Sequence, residues 1–227
     1  MQRLEQAIGY TFRDKSLLEQ ALSHSSYANE VLRDGLKSYE RLEFLGDSVL
    51  GFVTADYLYK NYPKLHEGEL TKLRAELVCE KSLELSAKKL GLGEYLRLGK
   101  GEEAGGGRTR TSIVADLVEA VLAAIYLDGG FGPAKDFVYR FVLSDPKARL
   151  QLSTDYKTML QELVQRKKDQ LLEYHLLAET GPDHEKEFSV SVSLNGETVG
   201  EGTGTSKKRA EQAAAEQAIG KLFPDAL

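Results

Sequence analysis

A chain of 227 residues with 41% hydrophobic content is long enough for one large domain or two modest ones. Its formal charge of −5 excludes a polyanionic partner held by the overall field, so any such partner must meet local clusters of cations. The single Cys79 excludes an internal disulfide and a multi-cysteine zinc site; it fits a reducing compartment and reads as a buried core thiol.

The chain opens with MQRLEQAIGYTF, which lacks a basic-then-apolar leader. The longest apolar run, near 117–127, is interrupted by Glu119 and too short for a bilayer. The expected setting is soluble and cytoplasmic, with no membrane contact. The first two-thirds read as helix, with apolar spacing in Leu17–Leu18–Leu22, in Leu42–Leu45–Val49–Phe52–Val53 and in Leu70–Leu73–Leu77. Helices are expected to stop at Asn61–Tyr62–Pro63, at Gly91–Leu92–Gly93 and at Gly129–Gly130, and Gly101–Gly107 reads as a flexible polar loop.

Past Ser144–Asp145–Pro146 the pattern lapses and its period changes. Residues 1–147 are therefore expected to form one domain, 148–152 a linker and 153–227 a second domain. In the second, a helix over Tyr156–Lys168 precedes a strand over Leu172–Leu177. Two alternating strands follow, Glu187–Leu194 and Glu197–Gly202, joined by the hairpin turn Asn195–Gly196. A last helix, Lys207–Leu222, has Ser206 as N-cap. The fold class is an all-α domain followed by a small α+β module of order α-β-β-β-α.

Two acidic pairs lie inside apolar helical stretches: Glu43 with Asp47 in RLEFLGDSVLGF, and Asp116 with Glu119 in SIVADLVEAVLAAIYL. Residues three or four apart share a helix face, so each pair presents oxygens in one direction, and Glu40 extends the first stripe by a turn. Carboxylates in such surroundings cost several kcal/mol unless compensated, and a divalent cation is the simplest compensation. Oxygen ligands without His or Cys select magnesium, with manganese able to substitute, over zinc.

The last helix poses a complementary problem. Lys207, Lys208 and Arg209 occupy its first turn, where the macrodipole disfavours cations unless an anion visits; amides and cations there suit a phosphate. On the module's first helix, Thr158, Gln161, Glu162 and Gln165 share one polar face suited to 2′-hydroxyls and base edges. The turn Gly181–Pro182–Asp183–His184 is placed to reach a second groove.

The run Glu40–Leu50 closely resembles the hallmark of bacterial ribonuclease III. Asp116–Ala120 followed by Tyr126–Gly130 resembles the family's second acidic motif, and the C-terminal module resembles a double-stranded-RNA-binding domain. The resemblance implies a magnesium-dependent endonuclease that dimerises and cuts both strands of an RNA duplex. Products would carry 5′-phosphate and 3′-hydroxyl ends with two-nucleotide 3′ overhangs, in rRNA and mRNA processing. Glu43, Asp47, Asp116 and Glu119 would be the metal-binding set, with Asp47 and Glu119 catalytic; Glu40 and Glu67 would be supporting acids. Thr158, Gln161, Glu162, Gln165, His184, Lys207 and Lys208 would contact RNA. Phe44 would plug into the other subunit of a homodimer, although spacing alone equally allows it to be core. No small-molecule cofactor is implied. Val121–Ala124 depart from the residues expected after the second motif, which touches packing only.

Other motifs carry less. The segment Gly101–Gly107 with Arg108 lacks the GK[ST] ending of a phosphate loop. His24, His66 and His175 have no carboxylate or Cys at ligand spacing. A di-iron bundle would require Glu-x-x-His twice, which does not occur. The remaining rival is a noncatalytic duplex-RNA binder or RNA-processing scaffold, which would not need all four acids.

Overall fold

In the computed structural model, which describes residues 1–146, 155–167, 169–182 and 186–224, the chain starts with two short helices, α1 (Gln2–Ile8) and α2 (Lys15–Ala21). The buried Glu5 pairs with Lys15 and accepts the Phe12 amide at 2.8 Å, tying the segment between them to α1. A single turn, α3 (Ser25–Tyr27), runs into a π-helical turn, Ala28–Leu32, that ends at Arg33 with φ 53°. The long helix α4 (Glu40–Asn61) follows, then α5 (Glu67–Leu77), α6 (Glu80–Leu90), α7 (Lys100–Ala104), α8 (Thr111–Gly129) and α9 (Phe131–Phe141).

Helix α8 is the axis of this unit. A helix apolar on every side must be surrounded, and between Ile113 and Ile125 every residue except Asp116 and Glu119 is buried. Helices α2, α4, α6 and α9 pack around it. Each fully enclosed side chain such as Leu117, Leu122 or Ile125 contributes roughly 2 kcal/mol relative to exposure. Val121–Ala124 are enclosed core residues.

Helices α4 and α8 touch at Gly46. A Cβ there would stand 2.0 Å from the Glu119 carbonyl oxygen, so only glycine permits this approach. Glu43 and Asp47 flank that crossing on α4, and Glu119 supplies it on α8.

Two local expectations are corrected. Gly101–Gly107 is not a plain loop: it contains most of α7 and the start of a 3₁₀ turn, Gly107–Thr109. Arg108 pairs with Glu103 and donates to the carbonyls of Gly93 (2.7 Å) and Leu96 (2.8 Å), and Arg110 meets Glu102 at 2.7 Å. Cys79 is only half-buried, because it is the N-cap of α6 rather than a core position. Phe52, a member of the apolar spacing on α4, is 62% exposed and packs on Phe131, with ring centroids 5.7 Å apart.

The chain divides into the units Met1–Ser153 and Thr154–Leu227, and the expected linker 148–152 lies outside the described residues. The second unit comprises α10 (Tyr156–Gln165), β1 (Leu172–Thr180), β2 (Glu187–Leu194), β3 (Glu197–Gly204) and α11 (Lys207–Leu222). The strands form an antiparallel sheet in the order β1-β2-β3. Asn195 (φ 54°) and Gly196 (φ 85°) make the two-residue turn that the sequence predicts. Strand β1 runs three residues past its expected end, since a bulge between Leu176 and Ala178 breaks the alternation that would have revealed it.

Helix α11 lays Ala210, Ala214, Ala215, Ala218 and Ile219 against Val190, Val192 and Val199, with Leu160 and Val164 of α10 in the same core. Its alanines meet a glycine track: a Cβ on Gly200 or Gly202 would lie 2.3 Å from Ala214 backbone atoms. The architecture is the all-α domain followed by an α-β-β-β-α module that the sequence implies. Among the described residues no helix is long and apolar enough to cross a membrane.

Candidate metal centre and nucleic-acid interface

Because α4 and α8 cross at Gly46, the acids on their facing sides converge. Glu43, Asp116 and Glu119 each offer a carboxylate oxygen within 4.8 Å of the others, and all three are partly buried. Asp47 is exposed and lies outside that triad, yet its charge acts on both Glu119 and Glu43. The Glu119 carboxyl is pushed up to about 8, chiefly by burial and then by Asp47, Asp116 and Glu43. Burial likewise raises Glu43, helped by Asp116, Glu40 and Asp47.

Asp116 is also raised by burial and by Glu80, against which a Tyr39 hydrogen bond and the nearby His24 lower it. Tyr39 is buried beneath the site, its ring edge-on to His24 at 5.6 Å, and its hydroxyl is held well above the ordinary range by burial and the surrounding carboxylates. Sequence reasoning missed Tyr39 and Glu80, and set His24 aside for want of a carboxylate partner. Only the adjacency of Tyr39 to Glu40 could have signalled one of them, since the others reach Asp116 across long separations in sequence.

Three desolvated oxygen donors that repel one another form a site whose charge a hard divalent cation would neutralise. The donor set fits magnesium or manganese. Glu40 is exposed at the start of α4, accepting from Ser38 Oγ at 3.3 Å. Glu67 is exposed at the start of α5, accepts from Thr71 Oγ1 at 3.0 Å, and is not part of the triad. Phe44 is 78% exposed, which excludes the intramolecular core reading.

In the second unit Thr158, Gln161, Glu162 and Gln165 are all exposed on one side of α10, while Leu160 and Val164 face the core. Lys207 and Lys208 are exposed in the first turn of α11, whose N-cap Ser206 accepts from the Arg209 amide at 3.3 Å. A groove lies between these surfaces, with Thr158, Gln161 and Gln165 on one wall and Lys208 on the other. His184 lies outside the described residues. His66 caps α5, and His175 meets Ser193 Oγ at 3.3 Å.

A helical domain with converging carboxylates, joined to an α-β-β-β-α module that presents cations at a helix start, defines a nuclease with a nucleic-acid-binding appendage. The family model described as Ribonuclease-III-like matches residues 14–146, and the double-stranded RNA binding motif matches 156–222. The chain is 48% identical to ribonuclease 3 of Listeria monocytogenes serotype 4a over 222 residues, covering 97% of each. It is 50% identical to ribonuclease 3 of Caldanaerobacter subterraneus over 221 residues, covering 96% of each. It also resembles the solved nuclease domain of ribonuclease III from Campylobacter jejuni, with a TM-score of 0.58, 42% identity and coverage of 63% of this chain and 96% of that one. A region of that domain is involved in dimer formation. This chain belongs to the ribonuclease III family and is a double-stranded-RNA endoribonuclease.

Proposed function

We propose that the enzyme hydrolyses both strands of an RNA duplex with magnesium held by Glu43, Asp47, Asp116 and Glu119. Cleavage leaves 5′-phosphate and 3′-hydroxyl ends with two-nucleotide 3′ overhangs. The observation that carries this reading is the convergence of Glu43, Asp116 and Glu119 within 4.8 Å in a partly buried setting. When bound, the ion acidifies the attacking water and offsets charge on the leaving oxygen. Asp47 and Glu119 are the catalytic acids: Asp47 would complete the metal-holding set from the exposed rim, and Glu119 would hold the ion from within the partly buried triad. Glu40 and Glu67 assist placement of metal or substrate.

In this reading Thr158, Gln161, Glu162, Gln165 and His184 contact grooves and sugar hydroxyls, while Lys207 and Lys208 hold phosphates. Phe44 is the contact between two subunits of a homodimer, a role supported by the exposure of a large aromatic ring on the helix that carries Glu43 and Asp47. The domains span 1–147 and 153–227, joined by 148–152. The enzyme works in the cytoplasm on rRNA and mRNA precursors. Incubating a labelled duplex with the chain in magnesium, and after stripping with EDTA, tests the reading. Cleavage only with the ion, with end-group analysis giving 5′-phosphates and the stated overhang, is the expected result; undiminished cleavage after stripping would overturn it.

A further inference from the structure

We infer that Asp155, Lys157, Glu211 and Gln212 form a clamp that fixes the spacing between the two RNA-facing surfaces of the C-terminal unit without contacting phosphate. The inference rests on the proposed RNA-binding roles of Thr158, Gln161, Gln165, Lys207 and Lys208.

Lys157 neighbours Thr158 on α10, but its ammonium, half-buried, is engaged by the protein's own groups. Nζ lies 2.7 Å from Glu211 Oε2 and 4.6 Å from the centroid of the Tyr174 ring. Lys207 and Lys208, by contrast, are exposed. Alongside, the amide of Gln212 on α11 grips the first turn of α10 at both ends. Its oxygen accepts the Lys157 backbone N–H at 3.2 Å, and its nitrogen donates to Asp155 Oδ1 at 2.7 Å. Asp155 is also the N-cap of α10, accepting from Thr158 N at 3.1 Å and Thr158 Oγ1 at 2.9 Å. A first-turn amide that would otherwise seek water is thereby used to dock one helix on the other.

The four clamp residues line the same groove as Thr158, Gln161, Gln165 and Lys208, and their bonds join its α10 side to its α11 side. The geometry of A-form RNA is fixed, so two surfaces meeting it together must keep a set distance. The hydrophobic core between the helices is non-directional: Leu160 and Val164 of α10 meet Ala210, Ala214, Ala215, Ala218 and Ile219 of α11 in one cluster. The polar clamp is directional.

Binding of the full-length chain to duplex RNA in EDTA, measured across a salt series below each variant's melting temperature, tests the inference. Lys157→Met and Gln212→Ala are each expected to weaken binding about tenfold while leaving the slope of log K against log salt unchanged, because no phosphate contact is lost. Asp155→Asn, which keeps an acceptor for both Thr158 and Gln212, is expected to bind within about twofold of the parent. Lys207→Ala with Lys208→Ala should reduce the slope by about two phosphate contacts. If Lys157→Met lowers the slope by one contact, Lys157 is itself a phosphate ligand and the clamp is refuted. If the double-lysine variant weakens binding while Lys157→Met binds like the parent, the clamp fails and the RNA-facing assignment stands. If the double-lysine variant keeps affinity and slope, that assignment fails and the clamp with it. Should Gln212→Ala not fold, Lys157→Met alone decides.

Discussion

The bare Cα of Gly46 on α4 rests on the main chain of Glu119 on α8. Gly46→Ala would set a methyl group 2.0 Å from the Glu119 carbonyl oxygen and 2.5 Å from its carbon, and neither atom is free to swing aside. Forced overpacking of this kind costs about 1–3 kcal/mol and parts the helices. Gly51, on the same helix, has open space around it and supplies the control. Denaturant unfolding should show Gly46→Ala destabilised and Gly51→Ala unharmed or slightly stabilised. Cleavage by the first should fall at least about tenfold below cleavage by the second. Equal activity in the two variants would mean that helix contact does not set the carboxylate geometry.

Removing single charges from the cluster separates catalysis from binding. Asp47→Asn and Glu119→Gln keep size and shape, and loss of a group worth several kcal/mol to the transition state slows cleavage about a thousandfold. Duplex affinity in a gel shift should stay near that of the parent, because the proposed binding face belongs to the other unit. A variant that still cuts at the parent rate would remove its residue from the catalytic set.

Stability should depend on pH in a direction set by Glu119. Its folded-state value of about 8 exceeds the ordinary 4.5, so the folded chain prefers the protonated form. The associated stability is present below the ordinary value and is lost as pH rises through about 8; Glu43 and Asp116 act with the same sign. Glu5 and Asp128 are lowered and act oppositely, their contribution present above the ordinary values and lost as pH falls through their depressed ones. Thermal melts of EDTA-stripped protein should therefore be lower at about pH 8 than at about pH 6, with magnesium giving its largest gain at the higher pH. Glu119→Gln should flatten both trends. A magnesium effect independent of pH would contradict the coupling.

Phe44 offers a test of assembly. Replacing a 78% exposed ring costs the monomer fold little, whereas a ring seated in a partner typically matters by 2 kcal/mol or more. Sedimentation of Phe44→Ala should show self-association weakened by about thirtyfold or more with the melting temperature nearly unchanged. Unaltered association would move the interface elsewhere.

Much of this architecture was legible in local pattern. The apolar period of α4 and α8, the stops at Tyr62 and Gly129, the Asn195–Gly196 turn and the Ser206 cap all announce themselves within a few residues. What escaped depends on distant partners. Helix α7 holds a glycine-rich sequence in place because Arg108 reaches back to Gly93 and Leu96. Phe52 belongs to the apolar spacing of α4 yet is 62% exposed, because spacing cannot tell which apolar residue of a stripe lies under a neighbouring helix. Tyr39 and Glu80 join the acidic centre only after folding brings them beside Asp116. The triad itself was half visible: pairing along each helix could be read, but their meeting required the glycine at the crossing.

The enclosure of α8 ties the fate of the chemistry to that of the scaffold. The segment that anchors the nuclease interior is the same one that aims Asp116 and Glu119, so enlarging or shrinking any neighbour of Leu117 or Val121 also re-aims those carboxylates. Attempts to build a more heat-resistant variant should leave this helix alone and work at the periphery. A library selected only for solubility would silently accumulate folded, inert enzymes.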